Sequence, residues 1–365
     1  MNLKDKLSYA SRIIKKSGPP IQLTFFLTSR CNLRCEHCFY WKELDSDHSH
    51  ELSLGEIKSI AKSLPRLLVL SITGGEPFVR KDISDVVKTF TEETRVHIVT
   101  ISTNGFYIKR MQEYIPKMLS ENPDTNILFY VSIDGPEKIH DKIRGVGSYK
   151  KAMETIKVLQ PFRKKFKNMG ISVSMTCTQS NQDFISDEFK FINNSGLTDN
   201  VNIGFVRGDV KKPEIKEVAL EKYKELTSLK LQAEREKKLK YPDNIVFNSF
   251  LDLKNQYTYK AVEHVYENDS FILPCQSGNL MGILYDDGVV RPCEILENSD
   301  LGNIRDYNYD FIKLWNDIPA NKIRKKIKNG CYCTFECSMS SSILFNPKYL
   351  SKIALKVAAQ KLKLV

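Results

Sequence analysis

Three cysteines near the start of the chain, Cys31, Cys35 and Cys38, are separated by three and then two residues. Five more, Cys275, Cys293, Cys331, Cys333 and Cys337, crowd the C-terminal part, and only Cys177 stands alone. An apolar strand surrounds Cys177 and makes it a core thiol. The opening, MNLKDKLSYASRIIKK, lacks the continuous apolar stretch of a secretory signal. In such a chain, grouped thiols point to metal or redox chemistry rather than disulfides. Three thiolates on one loop can hold three irons of a cubane and leave the fourth open. An open position is what a catalytic metal needs, whereas structural zinc wants four closed ligands. His37 could be offered as a fourth zinc ligand, but it is wedged between Glu36 and Cys38 and cannot easily reach the same ion.

The triad directly follows IQLTFFLT (21–28), the first of six apolar runs that read as strands. The others lie at 67–75, 95–105, 127–135, 169–181 and 201–209. Helical patterns separate them, and the one at 52–64 opens with Ser53 and Glu56 at capping-box spacing. Regular alternation of this kind predicts an α/β fold with a parallel sheet and βαβ crossovers. Periodicity leaves open whether the sheet is doubly wound or an incomplete barrel. Either way the cysteines sit at the C-terminal end of a strand, where parallel α/β architectures put their sites.

Other segments frame this core. Residues 1–20 read as an amphipathic helix stopped by Gly18-Pro19-Pro20, and 21–210 as the main domain. Residues 213–240 show a charged helix pattern with no wide apolar stripe, and the chain stays polar and weakly patterned to about 270. Residues 211–270 are therefore expected to bridge two domains. From Phe271 short apolar runs are punctuated by Gly, Asp, Asn and Cys, which suggests a small metal-dependent α+β domain at 271–345. Residues 346–365 form a basic amphipathic helix.

The charge is +11, with 41% hydrophobic and 27% charged residues. No apolar run approaches the ~20 residues of a membrane span, so a cytoplasmic protein is expected. The basic C-terminal helix could rest on anionic lipid as a peripheral contact, against the plainer reading of a packed terminal helix. A nucleic-acid binder would concentrate basic residues on one face with aromatics between them. The lysines are dispersed instead, so no nucleic-acid partner is expected.

The stretch TSRCNLRCEHCFYW resembles the signature of the radical S-adenosylmethionine (SAM) superfamily, with His37 where an aromatic residue usually precedes the third cysteine. The resemblance covers roughly residues 21–210 and implies a partial (β/α)6 barrel with parallel strands. It also implies a [4Fe–4S] cluster on Cys31, Cys35 and Cys38 that binds S-adenosylmethionine. Gly74-Gly75-Glu76 would then meet the amino group of the methionine moiety, though alone it reads as a tight turn. Ser102 and Asn104 would reach ribose, against an ordinary Asn-Gly turn. Ser132 would also contact ribose, and Arg144 would pair with the methionine carboxylate, against a surface ion pair. Chain at Tyr40, within the aromatic trio Phe39-Tyr40-Trp41, would meet adenine. Asp134 could instead cap a turn, and His140 reads as structural.

The second cysteine group opens as C-x12-G-x4-C. Asp286-Asp287-Gly288 between Cys275 and Cys293 signals a hairpin, which would make those two cysteines neighbours. This group resembles the auxiliary-cluster domains called SPASM and twitch, and five cysteines suit the shorter twitch form. The resemblance implies a second [4Fe–4S] cluster on Cys275, Cys293, Cys337 and either Cys333 or Cys331. A zinc ribbon is the alternative. Glu294 follows Cys293, where a carboxylate accepts a proton in sulfatase-maturating relatives; its plainer reading is a polar strand end.

A radical enzyme of this class cleaves S-adenosylmethionine to a 5′-deoxyadenosyl radical and abstracts a hydrogen atom. An auxiliary cluster could take the second electron of an oxidation, and a flavodoxin or ferredoxin would supply the first. Residues 1–20 precede the first strand, so a fused leader-binding domain is not expected. That tilts the substrate towards a small molecule, a sugar or a lipid-linked compound. The alternative is a ribosomal-peptide maturase with a separate leader-binding partner.

Overall fold

Buried Leu, Ile, Val and Phe runs form six parallel strands, β1 (Gln22–Thr28), β2 (Val69–Gly74), β3 (Ile98–Thr103), β4 (Asn126–Ser132), β5 (Met169–Cys177) and β6 (Asn200–Phe205). The computed structural model describes residues 9, 11–13, 18–236 and 245–362. Each strand pairs with its sequence neighbour in parallel, and β6 and β1 do not pair, so the sheet is open. Side chains alternate along each strand. One set enters the outer apolar layer, where α1 (Leu54–Ser63), α2 (Ile83–Thr94), α3 (Ile108–Glu121), α4 (Glu137–Arg144), α5 (Ser148–Lys165) and α6 (Ile185–Asn194) are threaded between the strands. The other set includes Thr24, Ser71, Thr100, Tyr130, Ser174 and Asn202, which line one shared cavity. A flat sheet could not bring β1 and β6 residues to one cavity, so the sheet curls into a partial barrel. The Ser53 and Glu56 capping box is formed as expected.

The rest of the chain departs from expectation in two ways. The charged pattern at 213–240 becomes α7 (Leu220–Arg235), and the weakly patterned stretch after it holds a further helix, α8 (Ile245–Asn268), which buries Leu253, Ala261, Val262 and Val265 and turns Lys254, Asn255 and Thr258 to the cavity. Polar residues on a helix face that closes a polar chamber mask the usual periodicity. Second, the C-terminal hairpin is not a separate sheet. The strand β7 (Met281–Leu284) pairs in parallel with β1, and β8 (Val289–Arg291) and β9 (Gly302–Asn303) follow antiparallel, giving order β6-β5-β4-β3-β2-β1-β7-β8-β9.

Short helices α9 (Phe311–Trp315) and α10 (Ile318–Lys328) then lead to α11 (Glu336–Leu344) and α12 (Pro347–Leu362). Trp315 is buried and its indole N–H donates to Gly18 O at 2.8 Å, tying this region back to the start of the barrel. The basic terminal helix packs inward through Ile353 and Val357, with Lys356 over the Tyr257 ring. Most of the amphipathic segment before Gly18 lies outside the described residues, though Tyr9 and 11–13 are helical. Among the described residues no helix is long and apolar enough to cross a membrane.

Candidate active site

Strand β1 ends at Thr28, and the chain must then turn over the barrel mouth. The turn is held from below by β2: Gly75 N donates to Thr28 O at 2.7 Å and Glu76 N to Arg30 O at 2.9 Å. A Cβ on Gly75 would lie 2.2 Å from Arg30 O, and one on Gly74 would lie 2.4 Å from Thr28 O. Both glycines thus let two stretches of backbone meet, besides lining the cavity at the triad. Gly74 also has φ +116, which L side chains avoid. Gly75→Ala is expected to cost about 3 kcal/mol, because backbone rather than a flexible side chain must yield. A urea titration of the apo-protein measures it.

Glu76 turns away from the cavity. Its carboxylate accepts from Asn104 N at 2.7 Å, Thr103 Oγ1 at 2.9 Å and Phe78 N at 3.2 Å, and it is buried. The expected ligand for an ammonium is therefore occupied in fastening the β2 loop to the β3 loop. Burial raises its pKa to about 7 from 4.5, against those three donors. The native state thus holds a proton that the unfolded chain releases. The stability this contributes is complete below about pH 4.5 and is lost as the pH rises through about 7. Glu76→Gln is expected to flatten the pH dependence of the unfolding midpoint across that window in apo-protein.

Cys31, Cys35 and Cys38 line a cavity of about 200 Å³ with Ser102, Asn104, Ser132, Arg144 and Arg207. Asn104 Nδ2 donates to Asn32 Oδ1 at 2.9 Å and lies 3.8 Å from Cys31 Sγ. Arg144 Nη1 lies 3.9 Å from Cys35 Sγ, while its Nε pairs with the fully buried Asp134 at 2.5 Å. The Arg144 pair is thus internal, not a surface one, and Asp134 also accepts from Thr176 N at 2.8 Å. His140 is structural as expected: its Nδ1 accepts from Asp134 N at 3.0 Å. His37 sits 3.3 Å from Arg144 Nη2, and burial lowers its pKa to about 4, so it is neutral.

Burial pushes the free thiols up, Cys31 to about 12 and Cys38 to about 11. Coordination to a metal deprotonates a thiol outright. The donor set suits a cluster: three soft sulfurs around one cavity, two with N–H donors beside them, and a guanidinium to balance their charge. Among the described residues no three His, Cys, Asp or Glu converge on a single-ion position.

Tyr40 is buried, and its hydroxyl donates to Asp286 Oδ1 at 3.0 Å while Ser29 N donates to Asp286 Oδ2 at 2.7 Å. Asp286 was legible only as a hairpin-turn residue. In the fold, that turn clamps the cysteine loop from the C-terminal side. Arg207, after β6, was missed altogether, although a charged residue at the C-terminal end of a barrel strand is a site signal. Its guanidinium pairs with Glu294 Oε1 at 2.8 Å and stacks on Phe39 and Phe335, at 5.2 and 4.3 Å from the ring centroids. It therefore touches both cysteine regions.

The C-terminal cysteines differ in the groups that act on them. Burial raises Cys333, and Cys293, Cys275 and Cys331 raise it further as neighbours. Cys275 likewise acts on Cys293 and Cys331. By contrast the charges acting on Cys337 are Arg207, Glu294, Glu336 and Lys254. Cys337 lines the larger barrel cavity of about 400 Å³, with Cys293 and Glu294. Cys337 thus stands among charged side chains, while Cys275, Cys293, Cys331 and Cys333 act on one another. Ser338, next along α11, directs its Oγ to 3.1 Å from Cys275 Sγ. Successive helical residues diverge by about 100°, so Cys337 points elsewhere. Cys177 is fully buried in β5, as expected.

The two cavities share Thr73, Ser102, Ser174, Thr176 and Arg207. One continuous chamber thus runs from the triad to the C-terminal cysteines.

Comparison with known proteins agrees with this geometry. The family profile of the Radical SAM superfamily matches residues 25–178. The sporulation killing factor maturation protein SkfB of Bacillus subtilis is 26% identical over 337 residues, covering 88% of this chain and 70% of that protein. The cysteine-type anaerobic sulfatase-maturating enzyme of Clostridium novyi is 30% identical over 195 residues, 48% of this chain and half of that protein's length (50%). Among solved structures, Streptococcus suis SuiB bound to S-adenosylmethionine aligns with TM-score 0.61 at 18% identity, over 88% of this chain and 72% of that one. The same protein bound to its precursor peptide SuiA gives 0.59 at 16%, over 88% and 71%. With the cysteine loop, the curled parallel sheet and the C-terminal extension on the same sheet, residues 25–178 are a radical SAM domain and the protein is a radical SAM enzyme, with S-adenosylmethionine and [4Fe–4S] clusters as its cofactors and an auxiliary domain at its C-terminal end.

Proposed function

We propose that this enzyme abstracts a hydrogen atom from a hydroxyl-rich small molecule or sugar held inside the barrel, and that the outcome is a two-electron oxidation. The observation that carries this reading is the chamber wall: Thr24, Ser71, Thr100, Ser174, Thr176 and Asn202 offer hydroxyl and amide groups along the route between the two thiol groups. Pockets of this kind bind polar substrates by a few convergent hydrogen bonds.

Cys31, Cys35 and Cys38 would hold the first cluster, and Cys275, Cys293, Cys331 and Cys333 the auxiliary one. Bound to the first cluster and reduced by a flavodoxin or ferredoxin, S-adenosylmethionine supplies a 5′-deoxyadenosyl radical. The chain's own residues do the rest. Asn104 and Arg144 steady the sulfurs, and Ser102 and Ser132 present hydroxyls to a ribose. Gly74 and Gly75 leave room for the methionine end, where their backbone meets the ligand in place of the Glu76 side chain. Tyr40 and Asp286 keep the loop closed over the cavity and exclude water. Glu294, oriented by Arg207, takes the proton released when an alcohol becomes a carbonyl, and the second electron would pass to the auxiliary cluster.

A second reading is favoured by the alignment with SuiB over 88% of this chain, since that protein binds a precursor peptide. In it, a peptide side chain enters the same chamber and a separate partner holds the leader.

Anaerobically reconstituted protein, given S-adenosylmethionine and dithionite, is expected to release 5′-deoxyadenosine. A full iron load without that product overturns the proposal. Deuterium transfer into 5′-deoxyadenosine from labelled sugars, but not from labelled peptide, separates the two readings.

A further inference from the structure

The larger chamber is walled by four charged side chains, Arg207, Lys254, Glu294 and Glu336. Three of them are engaged. Arg207 and Glu294 hold one another at 2.8 Å. Glu336 accepts from Phe205 N at 2.6 Å and Tyr223 Oη at 2.8 Å. Among the described residues Lys254, on α8, donates only to a neutral group, Ser340 Oγ at 2.9 Å. Among the described residues no carboxylate stands within ion-pair distance of it. The acidic side chain that acts on it from further off, Glu234, is held by Lys230 Nζ at 3.1 Å and Asn255 Nδ2 at 2.8 Å.

A cation taken out of water without a counter-ion is costly. Burial accordingly lowers the Lys254 pKa to about 8. A carboxylate or phosphate beside it would recover that cost. Ser340 and Cys337 are three apart on α11 and share one helix face, so the ammonium held by Ser340 lies beside the Cys337 thiol. Thr258, one turn along α8 from Lys254, and Asn255 complete a polar end to the chamber.

We propose that Lys254 is the binding point for an anionic group, carboxylate or phosphate, on the substrate, at the end of the chamber next to Cys337. This rests on the proposed function, since both use one chamber, and it narrows the substrate to an acid or a phosphoester. Cys337 is then not a cluster ligand but a thiol on the substrate's path.

That thiol supplies the test in the reconstituted holoenzyme. Alkylation of Cys337 is followed by mass spectrometry with iodoacetate, an anion, and iodoacetamide, its neutral analogue. The rate ratio of the two is expected to fall about fivefold in Lys254→Met and to return in Lys254→Arg. In the unaltered enzyme, inorganic phosphate or succinate is expected to slow labelling by iodoacetamide, and Lys254→Met to remove that protection. Protection by phosphate alone assigns a phosphoester, and by succinate alone a carboxylate. An unchanged ratio in Lys254→Met, no protection by either anion, or a Cys337 that neither reagent reaches overturns the proposal. None of these measurements involves radical chemistry, so 5′-deoxyadenosine release tests the proposed function separately.

Discussion

Replacing Cys35 by alanine is expected to abolish 5′-deoxyadenosine formation and to lower bound iron by about four per chain. The three sulfurs line one cavity at the mouth of β1 to β5, and none has a spare neighbour. His37, which lines the same cavity and could offer a ring nitrogen, is buried against Arg144 and Asp134 and cannot leave without breaking up that charged group. Loss of Cys35 also strips Arg144 of one of its partners, but Arg144 keeps Asp134. The fold is therefore expected to survive, and the urea midpoint of the apo-variant should stay within about 1 kcal/mol of the parent. Iron analysis with a cleavage assay distinguishes the outcomes: a variant with full iron and full cleavage would remove the triad from the chemistry.

The second large effect concerns the C-terminal group. Cys333→Ser and Cys331→Ser are each expected to lose the auxiliary cluster, about four irons per chain, while Cys337→Ser keeps it. The reason is directional. Cys275, Cys293, Cys331 and Cys333 act on one another as neighbours, and Cys337 is the first-turn residue of a helix whose next side chain, Ser338, already faces Cys275. Iron and sulfide analysis with electron paramagnetic resonance of the reduced variants reads this directly. A Cys337 variant that loses iron as Cys333 does would return Cys337 to the ligand set. Because Cys293 lies on the strip after β8, with Pro292 and Glu294 lining the chamber, the auxiliary variants are also expected to disturb the wall near Glu294.

The class of chemistry was legible along the chain because its signals are local. A cysteine loop needs only a few consecutive residues, and its position after an apolar run shows that it lies at a strand's C-terminal end. The six strands were equally readable, since each buries one face in an apolar layer and carries the period that burial imposes. The Ser53 and Glu56 box and the hairpin at Asp286 to Gly288 are short-range as well.

What the tertiary structure alone decided is everything that depends on direction. Glu76 could be read as a carboxylate near the site, but only the packing of two loops shows that its oxygens are spent on Thr103, Asn104 and Phe78. Helix α8 was harder to read because Lys254, Asn255 and Thr258, which face the polar chamber, interrupt the apolar spacing of Leu253, Ala261 and Val265. Arg207, Asp286 and Lys254 carry no motif; they matter because β6 and α8 bring Arg207 and Lys254 to the same chamber and the hairpin brings Asp286 to the cysteine loop. The spacing Cys331-x-Cys333-x3-Cys337 fits several ligand sets equally well. The start of α11 is what bears on the choice between them, since a helix fixes the angle between neighbouring side chains, and a list of residues does not.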